Sequence, residues 1–218
     1  LIAHVYQNKD GSWAEPHLLS EHLNGTARLS AKFAGKFGSE SWGKAAGLAH
    51  DLGKSREIWQ QYLTQQSGFS EDAHMENKPG KVPHAIHGAK LVEEEFGKVW
   101  GRFLSYCIAG HHTGIPDWSP ALGAGQASLE FRLSQLTNIS DIDKTVTDNL
   151  KPAKPDSQPW RFSRSLDLSL WIRMLYSCLV DADFLDTELY MDQTKAILRG
   201  GYCSMEELLN RFNCISNS

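Results

Sequence analysis

The sequence predicts an all-α protein that forms one domain over its 218 residues. Apolar residues recur at three- and four-residue spacing in several stretches, which is the period of amphipathic helices. No stretch alternates between apolar and polar residues strongly enough to predict a strand. With 41% hydrophobic and 22% charged residues, the chain has the composition of a globular protein large enough for a sizeable core.

The first half of the chain divides into three predicted helices. Residues 1–16 contain a turn dipeptide and are expected to form an ordered lead-in with little regular structure. A helix follows over about 17–37, because its apolar residues keep helical spacing until a glycine ends the run. The next helix begins with Ser41 as N-cap and ends near Gly53. Ser55 then caps a third helix.

The second half begins after a polar loop, residues 67–83, that is rich in Gly and Pro. Residues 137–165 hold three prolines and no sustained period, and they predict a long loop or a cover over the site. Five further helices are predicted. One starts at His84, a second runs from Trp100 to His111, and a third includes Leu129–Leu136. A fourth spans about 166–186, and a fifth follows a capping box of Ser204 and Glu207.

Composition excludes several classes of protein. No run of about 18 apolar residues predicts a membrane span, and residues 1–30 lack the pattern of a signal peptide. The start at Leu1 leads us to expect that residues precede it in the natural chain. A net charge of -4 argues against nucleic-acid binding through the overall field. Four cysteines without C-x-x-C spacing indicate reduced packing residues of a cytoplasmic protein: Cys107, Cys178, Cys203 and Cys214.

A His-Asp pair, His50 and Asp51, ends the second predicted helix. Adjacent side chains differ by about 100° around a helix, so both reach one cavity only if a shared partner such as a metal ion draws them together. A buried carboxylate there also needs a partner, because an isolated buried charge is costly. Other polar groups lie on inner helix faces in the same way, and together the candidates are His22, His50, Asp51, His84 or His87, His111, His112, and Asp181 or Asp183.

This set of candidates favours particular metals. Imidazole and carboxylate without thiolate suit Fe, Mn, Co, Ni or Zn better than Ca or Mg. Six or seven groups exceed the needs of one tetrahedral ion, and they suit two ions about 3.5 to 4 Å apart. Asp51 is the natural bridge, because a carboxylate has two oxygens to share.

The order His, His-Asp, His, His-His, Asp on a helical chain resembles the HD phosphohydrolase superfamily. More narrowly, it is similar to the HD nuclease domain of the CRISPR-associated helicase-nuclease of type I interference systems. The resemblance extends from about residue 4 to 188. Its motifs are Leu18-Leu19-Ser20-Glu21-His22-Leu23, Ala49-His50-Asp51-Leu52-Gly53-Lys54, His84-Ala85-Ile86-His87-Gly88-Ala89, Gly110-His111-His112-Thr113-Gly114-Ile115-Pro116-Asp117, and Leu179 to Glu188 with its Asp-Ala-Asp step.

The resemblance implies a fold and a set of site residues. It implies an HD-domain helical bundle over 1–218 with a metal site among the core helices. His84 stands four residues before Gly88, as in the family's pattern, and is selected over His87; Asp183 is likewise selected over Asp181. Asp51 and Lys54 are the implied catalytic residues, and Lys54 would either hold the scissile phosphate or screen its charge. The implied metal ligands are His22, His50, Asp51, His84, His111, His112 and Asp183.

The resemblance also implies a function. It implies cleavage of single-stranded DNA in the cytoplasm, as part of antiviral defence by type I CRISPR interference, with recruitment by an RNA-guided surveillance complex. Two divalent transition-metal ions are implied, Mn, Fe, Co or Ni, with Mg as a further candidate and Zn disfavoured for activity. The chain lacks G-x-x-x-x-G-K-[ST], so the helicase motor would act in cis from a longer protein or in trans.

Two alternatives stay open at this point. The chain could be an HD phosphohydrolase that acts on a nucleotide or a cyclic dinucleotide. It could instead be a non-catalytic docking domain that structural zinc stabilises, although the number of candidate ligands exceeds what that needs.

Overall fold

A computed structural model of the protein describes residues 1–67, 69, 82–123, 125–155, 164–199 and 203–216. The predicted loop over 67–83 therefore lies almost wholly outside the described residues. Ten α-helices occur in the described part of the chain: α1 Leu19–Ala34, α2 Glu40–Ala49, α3 Glu57–Ser67, α4 Ala85–Phe96, α5 Trp100–Gly110, α6 Leu129–Ser134, α7 Lys144–Thr147, α8 Ser165–Met191, α9 Gln193–Leu198 and α10 Met205–Ser216.

A small antiparallel ribbon precedes α1, where no strand was predicted. Strand β1 (Ile2–His4) pairs with β2 (His17–Leu18), and the ribbon is the one sheet among the described residues. Strands of three and two residues are too short to show an alternating pattern, which is why the sequence did not reveal them. The ribbon holds two histidines, His4 and His17, beside the start of α1.

Helix α2 lies at the centre of the bundle, packed against α1, α4, α5 and α8. Small residues allow α1 and α2 to approach closely, since a Cβ on Gly47 would lie 2.4 Å from the Cα of Ala27. The opposite side of α2 carries Trp42, whose ring meets that of Trp171 edge-on at 4.9 Å between centroids. Trp171 in turn donates its indole N–H to the Oγ of Ser39 at 2.8 Å.

The hydrophobic core follows the predicted stripes. Leu19 and Leu23 come from α1, Leu104 and Ile108 from α5, and a row of residues from α8, all with less than a tenth of their surface exposed: Trp171, Leu175, Leu179 and Ala182. Burying side chains of this size stabilises the fold by about 1.5–3 kcal/mol each. The core therefore fixes the relative positions of the helices that carry the candidate ligands.

Helix boundaries differ from the predicted ones around α2. The helix begins at Glu40, after Ser39, and ends at Ala49 rather than near Gly53. His50 follows as the C-terminal flanking residue, and a 3-10 turn over Leu52–Ser55 continues the chain. Ser55 donates to the carbonyl of Leu52 instead of capping α3.

The segment over 137–165 also differs from the predicted long loop, as far as it is described. It contains α7 and a 3-10 turn over Lys151–Ala153, and it buries Ile142, Val146 and Leu150 against the core. Ile142, Val146 and Leu150 recur at every fourth position, but they stand singly among polar residues and before the prolines, so this short run was not recognised as a packed segment. Residues 156–163 lie outside the described part. No helix of the described chain combines the length and hydrophobicity that crossing a membrane requires.

Candidate metal centre

The structure brings the predicted site residues into two adjoining clusters at one end of the bundle. Within each cluster, the nitrogen and oxygen atoms that could bind a metal lie within 4.8 Å of one another. Asp51 belongs to both clusters. The first cluster consists of His22, His50, Asp51 and Asp183, and the second consists of Asp51, His84, His111 and His112.

Helix ends place most of these side chains. His50 and His111 each follow directly after the last residue of a helix, α2 and α5 respectively, and His84 directly precedes α4. At Asp51 the backbone leaves the helical conformation, with φ -114° and ψ 16°. This change of direction lets His50 and Asp51 face the same cavity although they are adjacent in sequence.

The first cluster is tightly packed. The Nε2 atoms of His22 and His50 are 3.1 Å apart. Each of them also lies 3.4 Å from Oδ2 of Asp51. Oδ1 of Asp183 completes the group, at 3.3 Å from His22 and 3.5 Å from His50. Two imidazole nitrogens and two carboxylates around one point form a suitable ligand set for a divalent transition metal.

The second cluster faces the other oxygen of Asp51. Oδ1 lies 3.1 Å from Nε2 of His84 and 3.4 Å from Nε2 of His111. The Nε2 atoms of His84 and His112 are 2.9 Å apart. His112 is exposed, whereas the other three residues are buried, so this cluster opens to solvent on the His112 side.

Hydrogen bonds on the far side of the rings set the direction of the metal-facing nitrogens. His50 donates its Nδ1–H to the carbonyl of Gly47 at 2.8 Å, and His111 donates to the carbonyl of Ile108 at 2.7 Å. An imidazole whose Nδ1 carries the proton presents an Nε2 lone pair, which is the form that binds a metal. Both rings are therefore preset as ligands.

Two buried atoms test whether a metal fits. Oδ1 of Asp51 and Nε2 of His111 are buried, face each other, and form no hydrogen bond of ordinary geometry. Unsatisfied buried polar atoms are costly, and an ion bound between them would satisfy both. The donor set and these two atoms thus fit a metal centre.

The electrostatics of the two clusters differ. Burial lowers the pKa of His22 and of His50, but nearby carboxylates outweigh burial. Asp183, Asp186 and Asp51 raise the pKa of His22 to about 9, and Asp51 and Asp183 raise the pKa of His50 to about 10. In the second cluster, burial lowers the pKa of His84, and it lowers the pKa of His112 to about 3. Without metal, His22 and His50 therefore hold an extra proton near neutral pH, whereas His84 and His112 do not.

Lys54 points into the centre rather than into solvent. It is buried, and its Nζ lies 2.8 Å from Oδ2 of Asp51 and 3.1 Å from Nε2 of His4. Burial raises the pKa of Asp51, but Lys54 and the imidazoles outweigh that effect and hold the pKa well below its usual range. Lys54 thus holds Asp51 in its charged, metal-binding form.

The two alternative ligands lie elsewhere. His87 is buried but belongs to neither cluster, and burial lowers its pKa to about 4. Asp181 is exposed on α8. Of each pair of alternatives, the structure places His84 and Asp183 among the clustered residues.

Sequence reasoning missed three residues beside the first cluster. His4 and His17 lie with His22 in a further group of potential ligand atoms within 4.8 Å. Asp186 accepts a hydrogen bond from Nδ1 of His22 at 2.8 Å. The ribbon that positions His4 and His17 left no detectable pattern, but Asp186 follows Asp183 by three residues on one helix face, and that spacing could have revealed it.

Comparison with known proteins agrees with the fold and the clusters. The family model "HD domain" matches residues 19–148, which is more than half of the chain. No curated protein matches the sequence. HD domains bind divalent metals and are generally metal-dependent hydrolases. The prediction of an all-α HD bundle with a metal site among the core helices is confirmed. The chain belongs to the HD domain family.

Proposed function

We propose that this chain is a metal-dependent phosphodiesterase that cleaves single-stranded DNA in type I CRISPR interference. The observation that carries the proposal is the pair of four-residue clusters that share Asp51. A carboxylate that offers one oxygen to each of two clusters is typical of centres that hydrolyse phosphate esters with two ions. The choice of DNA rests on the motifs, which resemble the nuclease domain of the CRISPR-associated helicase-nuclease.

The ligands in this proposal are seven: His22, His50, Asp51, His84, His111, His112 and Asp183. When bound, two divalent ions such as Mn, Fe, Co or Ni lower the pKa of water and offset the negative charge of the phosphate. The protein contributes the arrangement. Asp51 holds the two clusters together, and Lys54 keeps Asp51 ionised from the buried side. Exposed His112 marks the side from which a DNA strand enters.

The proposal includes partners and a setting. The enzyme acts in the cytoplasm, recruited by an RNA-guided surveillance complex and supplied with single strands by a helicase motor in cis or in trans. Residues 1–218 act as a single nuclease domain. Because the net charge is -4, most of the grip on DNA would come from these partners and from the metal centre.

Circular single-stranded DNA provides the direct test. We would strip the chain of metal, add back Mn, Fe, Co, Ni, Mg or Zn, and incubate it with the circle, with nucleotides and with cyclic dinucleotides. We expect degradation of the circle with a transition metal and none with Asp51→Asn. Asp181→Asn, which changes an exposed carboxylate outside both clusters, should cut like the unaltered chain.

Two results would overturn the proposal. Hydrolysis of a nucleotide or a cyclic dinucleotide beside intact DNA would identify a small-molecule phosphohydrolase. If the chain hydrolysed none of the substrates with any metal, and if removal of zinc strongly lowered its melting temperature, it would be a docking domain that zinc stabilises.

A further inference from the structure

We infer that Asp186 is a positioning residue for the candidate metal ligand His22, and that Gly25 is the position in α1 that admits it. The inference rests on the metal centre of the proposed function and is independent of the DNA substrate. Asp186 lies outside both clusters, and its carboxylate contacts the ring of His22 on the side away from the candidate ions.

The contact itself is direct and buried. Oδ2 of Asp186 lies 2.8 Å from Nδ1 of His22, and 7% and 0% of the two residues' surfaces are exposed. An ionised carboxylate only accepts, so Nδ1 must carry the proton. The Nε2 lone pair of His22 then faces Asp51 and Asp183 in the first cluster. Carboxylate, imidazole and metal in this order are a common device for fixing a ligand's tautomer.

His22 needs this partner because of its place in α1. His50 and His111 follow helix ends, where a carbonyl of the last turn, three residues earlier, accepts a hydrogen bond from Nδ1. His22 is instead the fourth residue of α1, where the neighbouring carbonyls belong to the helix ladder. An acceptor for its Nδ1 must therefore come from another element, and α8 supplies it.

Gly25 makes room for the carboxylate. A Cβ at this position would lie 1.8 Å from Oδ1 of Asp186, which no side chain could tolerate without displacing the carboxylate. Glycine inside a helix costs about 0.5–1 kcal/mol relative to alanine. Gly25 stands one turn after His22, on the face of α1 that packs against α8. The approach of Asp186 accounts for a glycine at this point.

Further contacts confine Asp186. Nε2 of His17 lies 3.6 Å from the same Oδ2, and the His17 ring stacks on Tyr190 with 4.7 Å between centroids. Nδ1 of His17 is 3.3 Å from Nδ1 of His4, which in turn contacts Lys54. The carboxylate is therefore held against His22 from the side of the β-ribbon as well.

The test compares variants that remove the acceptor or displace it. Asp186→Leu removes the acceptor, Asp186→Asn keeps an oxygen that can accept, and Gly25→Ala pushes the native carboxylate away. Asp181→Leu and Gly35→Ala are the matched controls, since the nearest atom to a Cβ at Gly35 is 3.8 Å away. We would measure Mn²⁺ affinity by calorimetry. We would determine the His22 tautomer by proton–nitrogen correlation NMR of metal-free protein at a pH above the raised His22 pKa of about 9, where the ring is neutral and has one protonated nitrogen.

We expect Asp186→Leu and Gly25→Ala to lose the Nδ1-protonated form of His22 and to bind one of the two ions about 10- to 100-fold more weakly. Asp186→Asn should lose less Mn²⁺ affinity than Asp186→Leu, and both controls should match the unaltered chain in affinity and in the His22 tautomer. An unchanged tautomer and affinity in Gly25→Ala would overturn the inference. So would a lower melting temperature with unchanged affinity, because Asp186 would then serve packing alone.

The two proposals fail separately. If the unaltered chain binds no Mn²⁺, the metal centre of the proposed function fails. The tautomer of His22 in the metal-free protein still decides whether Asp186 orients the ring. Should Asp186→Leu not fold, Gly25→Ala gives the same comparison with the carboxylate intact.

Discussion

Replacing Asp51 with asparagine separates the folding role of this residue from its role in the candidate metal centre. In metal-free protein, Asp51→Asn leaves the ammonium of Lys54, which is only 5% exposed, without its carboxylate partner at 2.8 Å. Breaking a buried pair by removing one partner typically costs 3–5 kcal/mol. His4 still contacts Lys54, so we expect a loss of about 3 kcal/mol in the free energy of unfolding.

The matched control is the double variant Asp51→Asn/Lys54→Met, which removes the stranded charge as well. We expect urea unfolding of metal-free protein to show most of the lost stability restored in the double variant. Mn²⁺ binding should behave differently. Because Asp51 belongs to both clusters, neither variant should bind a pair of ions at concentrations that saturate the unaltered chain.

Calorimetry gives the number of ions, and electron paramagnetic resonance shows whether two Mn²⁺ ions are coupled. Two coupled ions in Asp51→Asn would refute the bridging role outright. A single variant as stable as the unaltered chain in the absence of metal would refute the buried ion pair with Lys54. A double variant that stays as unstable as the single one would also do so.

Three further predictions concern ligand choice, protons and packing. His84→Gln should lose one ion of the pair and His87→Gln neither, by calorimetric stoichiometry; the reverse result would reassign the ligand. Ion binding to the first cluster near neutral pH should release about two protons and should tighten as pH rises from 6.5 to 9, because His22 and His50, whose pKa values are raised to about 9 and about 10, each hold an extra proton at neutral pH. Equal heats in buffers of different ionisation enthalpy would contradict this proton release. Gly88→Ala should lower the free energy of unfolding by about 1–3 kcal/mol, since its Cβ would lie 2.0 Å from a backbone carbonyl at the end of α2, and a neutral result in urea unfolding would contradict that packing.

The same pKa values set the stability of the metal-free first cluster. A raised histidine pKa stabilises the fold fully below the unfolded value of about 6.5 and loses that contribution as pH rises toward 9 and 10. The lowered pKa of Asp183 affects stability at acidic pH. Burial raises that pKa, but His50 and His22 outweigh burial, so its contribution is present above the usual carboxyl value and lost as pH falls.

The sequence predicted the helical bundle because the stripes on α1, α5 and α8 each repeat over several turns. Leu104, Ile108, Leu175 and Leu179 lie in the core as their spacing indicated. The clustered residues were found for a related reason: polar groups that interrupt apolar faces need partners. Their motifs then selected His84 and Asp183 from the alternatives.

What the sequence did not predict depends on contacts between distant residues. The β-ribbon has too few residues for a pattern, and nothing local indicates that His4 lies beside Lys54, fifty positions later. Asp186 was visible as one of several acidic residues at the end of α8. Its role became evident only when Gly25, on another helix, was found to leave space for it.

The pairing of α1 with α8 has a consequence for synthesis of the protein. The hydrogen bond between His22 and Asp186 joins residues 164 positions apart. Because a ribosome adds about 5–20 residues per second, α1 with His22 emerges roughly ten seconds or more before α8 does. Until then, His22 has neither its acceptor nor Asp183 beside it, so the first cluster cannot form on the nascent chain. Loading of the first cluster with metal therefore follows the emergence of α8 from the ribosome.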